Sequence, residues 1–135
     1  MRVYGIDTSV FVRLLTGDPL KEYEKTVAAL ENLLNQGSDV KIAVSNIVMG
    51  EAYFVLQHHY GIPRRSAREA MLSVFESGFV EPLNGKEIFE MLTIEKGAGL
   101  MDRLIAQDYY RQNVLVLTRD FKMAALRGCK LLAHA

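Results

Sequence analysis

The sequence has little cysteine: Cys129 is the only one in 135 residues. A single thiol excludes an intramolecular disulfide and any metal site built from a cysteine cluster. It reads as a small apolar residue in a late strand. The chain also lacks an excess of charge. Its 16 basic and 16 acidic residues give a formal net charge of zero, which argues against a strongly basic nucleic-acid clamp and leaves any such contact to local basic patches. No apolar run is long enough to cross a membrane, and the N-terminus enters a strand directly, without a signal-peptide layout. A reducing cytoplasm fits these features. There is no repeat, linker or low-complexity tract. Nor is there a glycine-rich phosphate loop, because Gly97-Ala98-Gly99 lacks the remaining glycine and the preceding strand of a dinucleotide fingerprint.

Half the residues are hydrophobic, enough for one globular domain with a real core. Val3, Tyr4 and Ile6 form a short β-prone run without alternation, as expected of a strand buried on both faces. Val10 to Leu15 is almost wholly apolar and stops at Gly17-Asp18-Pro19. A helix is expected over Leu20–Asn35, then a strand at Ile42-Ala43-Val44 and a helix from Ser45 or Asn46 to about Tyr60, closed by Gly61. Pro63 opens a further helix. Phe79 to Leu83 is a strand weakened by Pro82. Glu87–Ile94 reads as a short helix, and Gly97-Ala98-Gly99 precedes a helix from about Met101 to Gln112. Val114–Leu117 is the clearest strand, followed by a short helix over Phe121–Leu126 and a last strand from Lys130 to Ala133. Strands alternating with helices predict an α/β domain whose mainly parallel sheet is covered on both faces. Ligand sites of such sheets lie beyond the carboxyl ends of the strands.

Two aspartates stand at such ends. Asp7 follows the first strand, and Asp120 follows Val114-Leu115-Val116-Leu117-Thr118-Arg119. Either could simply cap the next helix. Glu51 is the only charged side chain between Lys41 and Arg64, inside an apolar helix expected to be largely buried, and no lysine or arginine lies at helical spacing from it. It either needs a partner there or stands on a thin solvent-facing stripe, pairing with a distant arginine. Asp102 begins the helix after the glycine break and shares a face with Ile105, Ala106 and Tyr109, so it looks inward, although an acid also suits a helix N-terminus. A carboxylate cluster without cysteine or a paired-histidine motif selects a hard cation, Mg²⁺ or Mn²⁺. Such an ion would activate a water and neutralise charge on a phosphodiester. Thr118, two positions before Asp120, supplies a hydroxyl.

These residues resemble the PIN-domain nucleases, and within them the toxin subunits of VapBC-type toxin–antitoxin pairs. The resemblance is carried by Asp7-Thr8-Ser9, Glu51, Asp102 within Leu100-Met101-Asp102-Arg103-Leu104-Ile105-Ala106, and Thr118-Arg119-Asp120. It spans nearly the whole chain and implies a single PIN-like domain over 1–135. The implied fold is a three-layer α/β/α sandwich with a parallel sheet in the order 3-2-1-4-5. The implied activity is Mg²⁺- or Mn²⁺-dependent endoribonuclease action on single-stranded RNA. In this reading Asp7, Glu51, Asp102 and Asp120 hold the metal and its water, and Thr118 supports them. A homodimer and a small antitoxin protein are the implied partners. Some members carry a further acid just after the position of Asp120; Met123 lies in that region here.

Two rivals remain. A haloacid-dehalogenase-like phosphoryl-transfer enzyme also begins with an aspartate after strand one, but it wants a second aspartate where Ser9 stands. A degenerate PIN-like scaffold that binds a partner without catalysis would have no need of all four acids. His58-His59 points to two helix faces and suits a C-terminal capping role better than metal ligation. Among the cations, Arg119, Lys122 and Arg127 are nearer the proposed site than Arg64, Arg65 and Arg68. Val10-Phe11-Val12, Leu14-Leu15 and the helix Ile47–Leu56 carry more apolar surface than a small sheet needs, which suggests an interface. Four converging carboxylates without a metal are expected to repel one another and raise their own pKa values.

Overall fold

The computed structural model describes residues 1–132. The last strand was expected to reach Ala133; that residue and His134 lie outside the described part. The chain packs as two compact units, the first ending at Leu92 and the second beginning at Thr93.

The first unit is organised on three parallel strands in the order 1-2-3: β1 (Arg2–Gly5), β2 (Val40–Val44) and β3 (Glu81–Pro82). β3 is as short as Pro82 requires, since proline has no N–H to give a ladder. Leu83 N–H still donates to the Val44 carbonyl at 2.8 Å. Five helices connect or follow the strands: α1 (Thr8–Thr16), α2 (Leu20–Leu34), α3 (Asn46–His58), α4 (Arg64–Glu76) and α5 (Glu87–Met91). α1 packs against α2, α3 and α4. Its apolar face is core: Phe11 is fully buried, Val12 and Leu14 nearly so. The Phe11 and Phe75 rings lie 5.6 Å apart, and Phe89 meets Phe75 edge-on at 6.3 Å. Phe11 and Phe75, both buried, each contribute roughly 1.5–3 kcal/mol by burial. The expectation that Val10–Leu15 forms a partner surface is thereby corrected for Phe11, Val12 and Leu14.

Helix ends follow local chemistry. Gly17 closes α1 in the left-handed conformation (φ 65°), and its N–H donates to the Arg13 carbonyl. Ser45 caps α3 by accepting from Val48 N–H at 3.2 Å. His59 ends α3 through its backbone, donating to the Val55 carbonyl, while His58 stacks on Phe54 with centroids 4.1 Å apart.

The second unit holds α6 (Leu100–Arg111), β4 (Val116–Thr118), α7 (Phe121–Ala124) and β5 (Cys129–Leu131). β4 and β5 pair in parallel, Val116 opposite Cys129 and Thr118 opposite Leu131. Ala106, Val116 and Met123 form its small core, with Leu126 and Cys129 packed against them. Met123 is therefore a core residue, where the resemblance allowed for a further acid.

The fold is α/β with parallel pairing throughout, in keeping with a PIN-like α/β/α arrangement; in place of one five-stranded sheet, the described strands form two sheets, of order 1-2-3 and 4-5. Two expectations need correction. β1 is not buried on both faces; Val3 is 49% exposed. β4 begins at Val116 rather than Val114, because α6 ends in a tight turn: Asn113 is left-handed (φ 60°) and Val114 N–H donates back to the Tyr109 carbonyl. Val114 and Leu115 belong to that exit and are exposed. Among the described residues no helix is long and apolar enough to cross a membrane.

Candidate active site

Asp7 leaves β1 after Ile6 and is the N-cap of α1. One oxygen, Oδ1, accepts from Val10 N–H at 3.0 Å and from the Ser9 hydroxyl at 2.8 Å. Two donors on one oxygen favour the charged form, so the Val10 amide and the Ser9 hydroxyl hold the Asp7 carboxyl below the usual carboxylate range. The expectation of a raised pKa is therefore overturned at Asp7. The side chain is exposed, so little desolvation opposes those donors.

Glu51 is exposed as well, on a solvent-facing strip, which is the plainer of the two expectations for it and corrects the buried one. It stands on the outward strip of α3 with Ile47 (71% exposed) and Phe54 (57% exposed). Its partner is a hydroxyl rather than a cation: Thr8 Oγ1 donates to Glu51 Oε1 at 2.9 Å. The triplet Asp7-Thr8-Ser9 thus divides its work. Ser9 steadies Asp7 and Thr8 steadies Glu51, bringing the two acids to one region of the first unit. Sequence reading missed this role for Thr8. The available signal was Glu51 itself, an acid with no cation at helical spacing, which needed some other partner.

In the second unit Asp120 repeats the geometry of Asp7. It caps α7, with Oδ1 accepting from Lys122 N–H at 2.8 Å and Met123 N–H at 2.9 Å. Asp120 N–H in turn donates to Thr118 Oγ1 at 3.0 Å, so Thr118 fixes the backbone that presents the carboxylate. Asp102 is half-buried in the first turn of α6. Its negative charge is felt at Cys129, whose thiol is pushed up chiefly by burial and further by Asp102. No hydrogen bond or ion pair joins Asp102 to Asp120 among the described residues. Arg103 turns back across the glycine break: Nε donates to the Ala98 carbonyl at 2.9 Å and an Nη to the Lys96 carbonyl at 3.1 Å. α6 has no side-chain cap of its own at Gly99.

The capping role suspected for the two strand-end aspartates is real, but it occupies one oxygen of each. Among the described residues, Oδ2 of Asp7, Oδ2 of Asp120 and Oε2 of Glu51 accept no side-chain or backbone hydrogen bond, and none of the four acids is paired with a lysine or arginine. Free carboxylate oxygens held in place by their sister atoms are the donor chemistry that Mg²⁺ or Mn²⁺ requires. Among the described residues no group of three or more His, Cys, Asp or Glu side chains is already gathered as an ion site. Asp7 and Glu51 belong to the first unit, Asp102 and Asp120 to the second. Of the cations, Arg127 is spent on a ring contact, its guanidinium 4.0 Å from the Tyr110 centroid. Arg65 pairs with Glu69.

The PIN domain family model matches residues 4–128, across both units and through Asp7, Glu51, Asp102 and Asp120. No curated protein matches the chain. With nearly the whole sequence covered, the chain belongs to the PIN-domain family, whose members are generally metal-dependent nucleases.

Proposed function

We propose that this protein is a Mg²⁺- or Mn²⁺-dependent endoribonuclease that cleaves single-stranded RNA and serves as the toxin of a toxin–antitoxin pair. The observation that carries the reading is the half-used carboxylate: Asp7, Glu51 and Asp120 are each anchored through one oxygen and leave the other free. All three side chains are exposed, so the second oxygen of each is open to a cation from solvent. Asp7, Glu51, Asp102 and Asp120 would hold the metal. When bound, it supplies Lewis-acid neutralisation of the phosphodiester and a more acidic water.

The chain's own part is orientation. Ser9 and Val10 keep the Asp7 carboxylate ionised and fix its rotamer; Thr8 holds Glu51; Thr118 holds the backbone of Asp120. Such supporting bonds usually matter to metal affinity by roughly 10–100-fold. Ser9 also counts against the haloacid-dehalogenase-like alternative. It stands where that class needs an acidic proton donor, and its hydroxyl is committed to Asp7. The outward residues Ile47 and Phe54 of α3 support a partner surface, for which a small antitoxin and a second copy of the chain are the occupants in this reading.

The test is cleavage of a labelled single-stranded RNA by the purified protein, with and without EDTA. Cleavage that chelation stops and Mg²⁺ or Mn²⁺ restores supports the reading. Undiminished cleavage in excess EDTA, or none with either metal, defeats it. Light scattering and a search for a co-purifying small protein address the partners.

A further inference from the structure

A cavity of about 400 Å³ opens in the first unit where α1, the loop after it and the end of α3 meet. That lies within the roughly 300–1,000 Å³ of small-ligand sites. Its apolar wall is Val12, Val55 and the half-exposed ring of Tyr60. Its polar lining includes Arg13 and Asp18. The lining also includes Thr8 and Ser9, the residues that hold Glu51 and Asp7.

Arg13 and Asp18 do not close on each other as an ion pair. Arg13 Nη1 donates to the backbone carbonyl of Asp18 at 3.0 Å, the one hydrogen bond its guanidinium makes among the described residues. The Asp18 carboxylate has no partner there. The backbone that carries it is fixed: Thr16 Oγ1 donates to the Val12 carbonyl at 2.9 Å, Asp18 N–H donates to Thr16 Oγ1 at 3.3 Å, and Gly17 makes the turn. The lining therefore includes one aromatic ring, a guanidinium with donors left over after its bond to the Asp18 carbonyl, and a carboxylate with no protein partner among the described residues.

A phosphate would meet the Asp18 carboxylate, so the balance of charge favours a neutral planar group. An aromatic face with polar groups at its edge is how proteins hold a base splayed out of single-stranded RNA. A carboxylate prefers two adjacent N–H donors. Guanine alone of the four bases presents them, at N1 and N2, beside an O6 acceptor suited to arginine.

We infer that this cavity is a guanine subsite. Tyr60 stacks on the base, Asp18 accepts from N1–H and N2–H, and Arg13 donates to O6, which sets one nucleotide of the substrate beside Asp7 and Glu51. The inference rests on the ribonuclease reading for its choice of RNA as ligand.

The experiment measures binding of the full chain to three fluorescein-labelled single-stranded oligouridylates in EDTA. Each carries guanine, inosine or adenine at one central position; inosine lacks only the N2 amine. The guanine oligomer is expected to bind tightest, with inosine weaker by about tenfold or more for one lost hydrogen bond to a carboxylate. Tyr60→Ala should weaken all three by about tenfold or more, the scale of lost base stacking. Asp18→Asn should level guanine and inosine, with a melt to confirm folding. Equal binding of the three oligomers by the unaltered protein overturns the inference, and the comparison needs no variant to fold. Discrimination that survives Asp18→Asn also overturns it. A guanine preference without cleavage of any RNA in Mg²⁺ or Mn²⁺ upholds the subsite and sinks the nuclease reading; cleavage without base preference does the reverse.

Discussion

Thr8 and Glu51 are 43 positions apart, and one hydrogen bond of 2.9 Å joins them across α1 and α3. The bond lies at an exposed position, so it adds little to stability; its effect is to select one rotamer of an otherwise mobile glutamate. Thr8→Val keeps the shape and removes the hydroxyl. Cleavage should fall roughly 10–100-fold, while the melt shifts by no more than about 1 kcal/mol of stability. Thr8→Ser should restore most of the rate. A Thr8→Val enzyme as active as the parent would show that this contact does not position Glu51 for the reaction.

Asp7 separates capping from chemistry. Asn caps a helix about as well as Asp, whereas Ala costs about 0.5–2 kcal/mol. Asp7→Asn should therefore leave metal-free stability nearly unchanged and Asp7→Ala should lower it by that amount. Both should reduce cleavage by roughly a hundredfold or more. Thermal melts in EDTA beside RNA cleavage assays decide the matter, and an active Asp7→Asn protein would remove Asp7 from the metal site.

The pH response in EDTA has a definite sign. Asp7 has a lowered folded-state pKa, set by the Val10 amide and the Ser9 hydroxyl. Its contribution to stability is present above the unfolded value of about 3.9 and is lost as pH falls through the folded pKa. Melts of parent and Asp7→Asn, nearly equal at neutral pH, should therefore diverge as pH drops below about 4, the parent falling below the variant as it loses the contribution of the ionised cap. A parent that gains stability relative to Asp7→Asn over that range would contradict the hydrogen bonding at Asp7.

Metal binding has its own readout in stability. An ion that binds only the folded chain adds about 2.7 kcal/mol at a hundred times its Kd. Mg²⁺ or Mn²⁺ should raise the melting temperature of the parent and do so less for Glu51→Gln, Asp102→Asn and Asp120→Asn. Titration by differential scanning fluorimetry measures this without any RNA, and equal metal shifts in all four proteins would exclude these acids as ligands.

Cys129 reports on Asp102. Burial and the Asp102 charge both disfavour its thiolate, so alkylation by iodoacetamide at pH 8 in EDTA should be slower than that of a free thiol. Asp102→Asn removes one of the two causes and should quicken it. An unchanged rate would mean that the Asp102 charge is not felt at Cys129.

Much of the architecture was legible because it is written in local chemistry. Gly17, Ser45, Gly61 and Pro82 act on their immediate neighbours, and the turns, cap and short strand they announce are all present. Asp7 and Asp120 were also legible as strand-end acids, since position alone identified them. What the sequence concealed depends on distance along the chain. The apolar neighbours of Glu51 suggested burial, yet Ile47 and Phe54 share its exposed strip. The partner of Glu51 lies 43 residues away. The late start of β4 follows from the left-handed Asn113, which apolar Val114 and Leu115 hid.

The strap made by Arg103 concentrates the order of a whole segment in one side chain. Gly97 is left-handed (φ 79°), Gly99 offers α6 no capping side chain, and of the three residues of the break Ala98 alone is buried. The guanidinium holds the approach to Asp102 from the helix side by gripping the Ala98 and Lys96 carbonyls at once. Lysine cannot imitate a planar fork that reaches two acceptors. Loosening at residue 103 would therefore be expressed one position upstream, as wandering of Asp102, and amide exchange across 96–102 would register it before any global melt did.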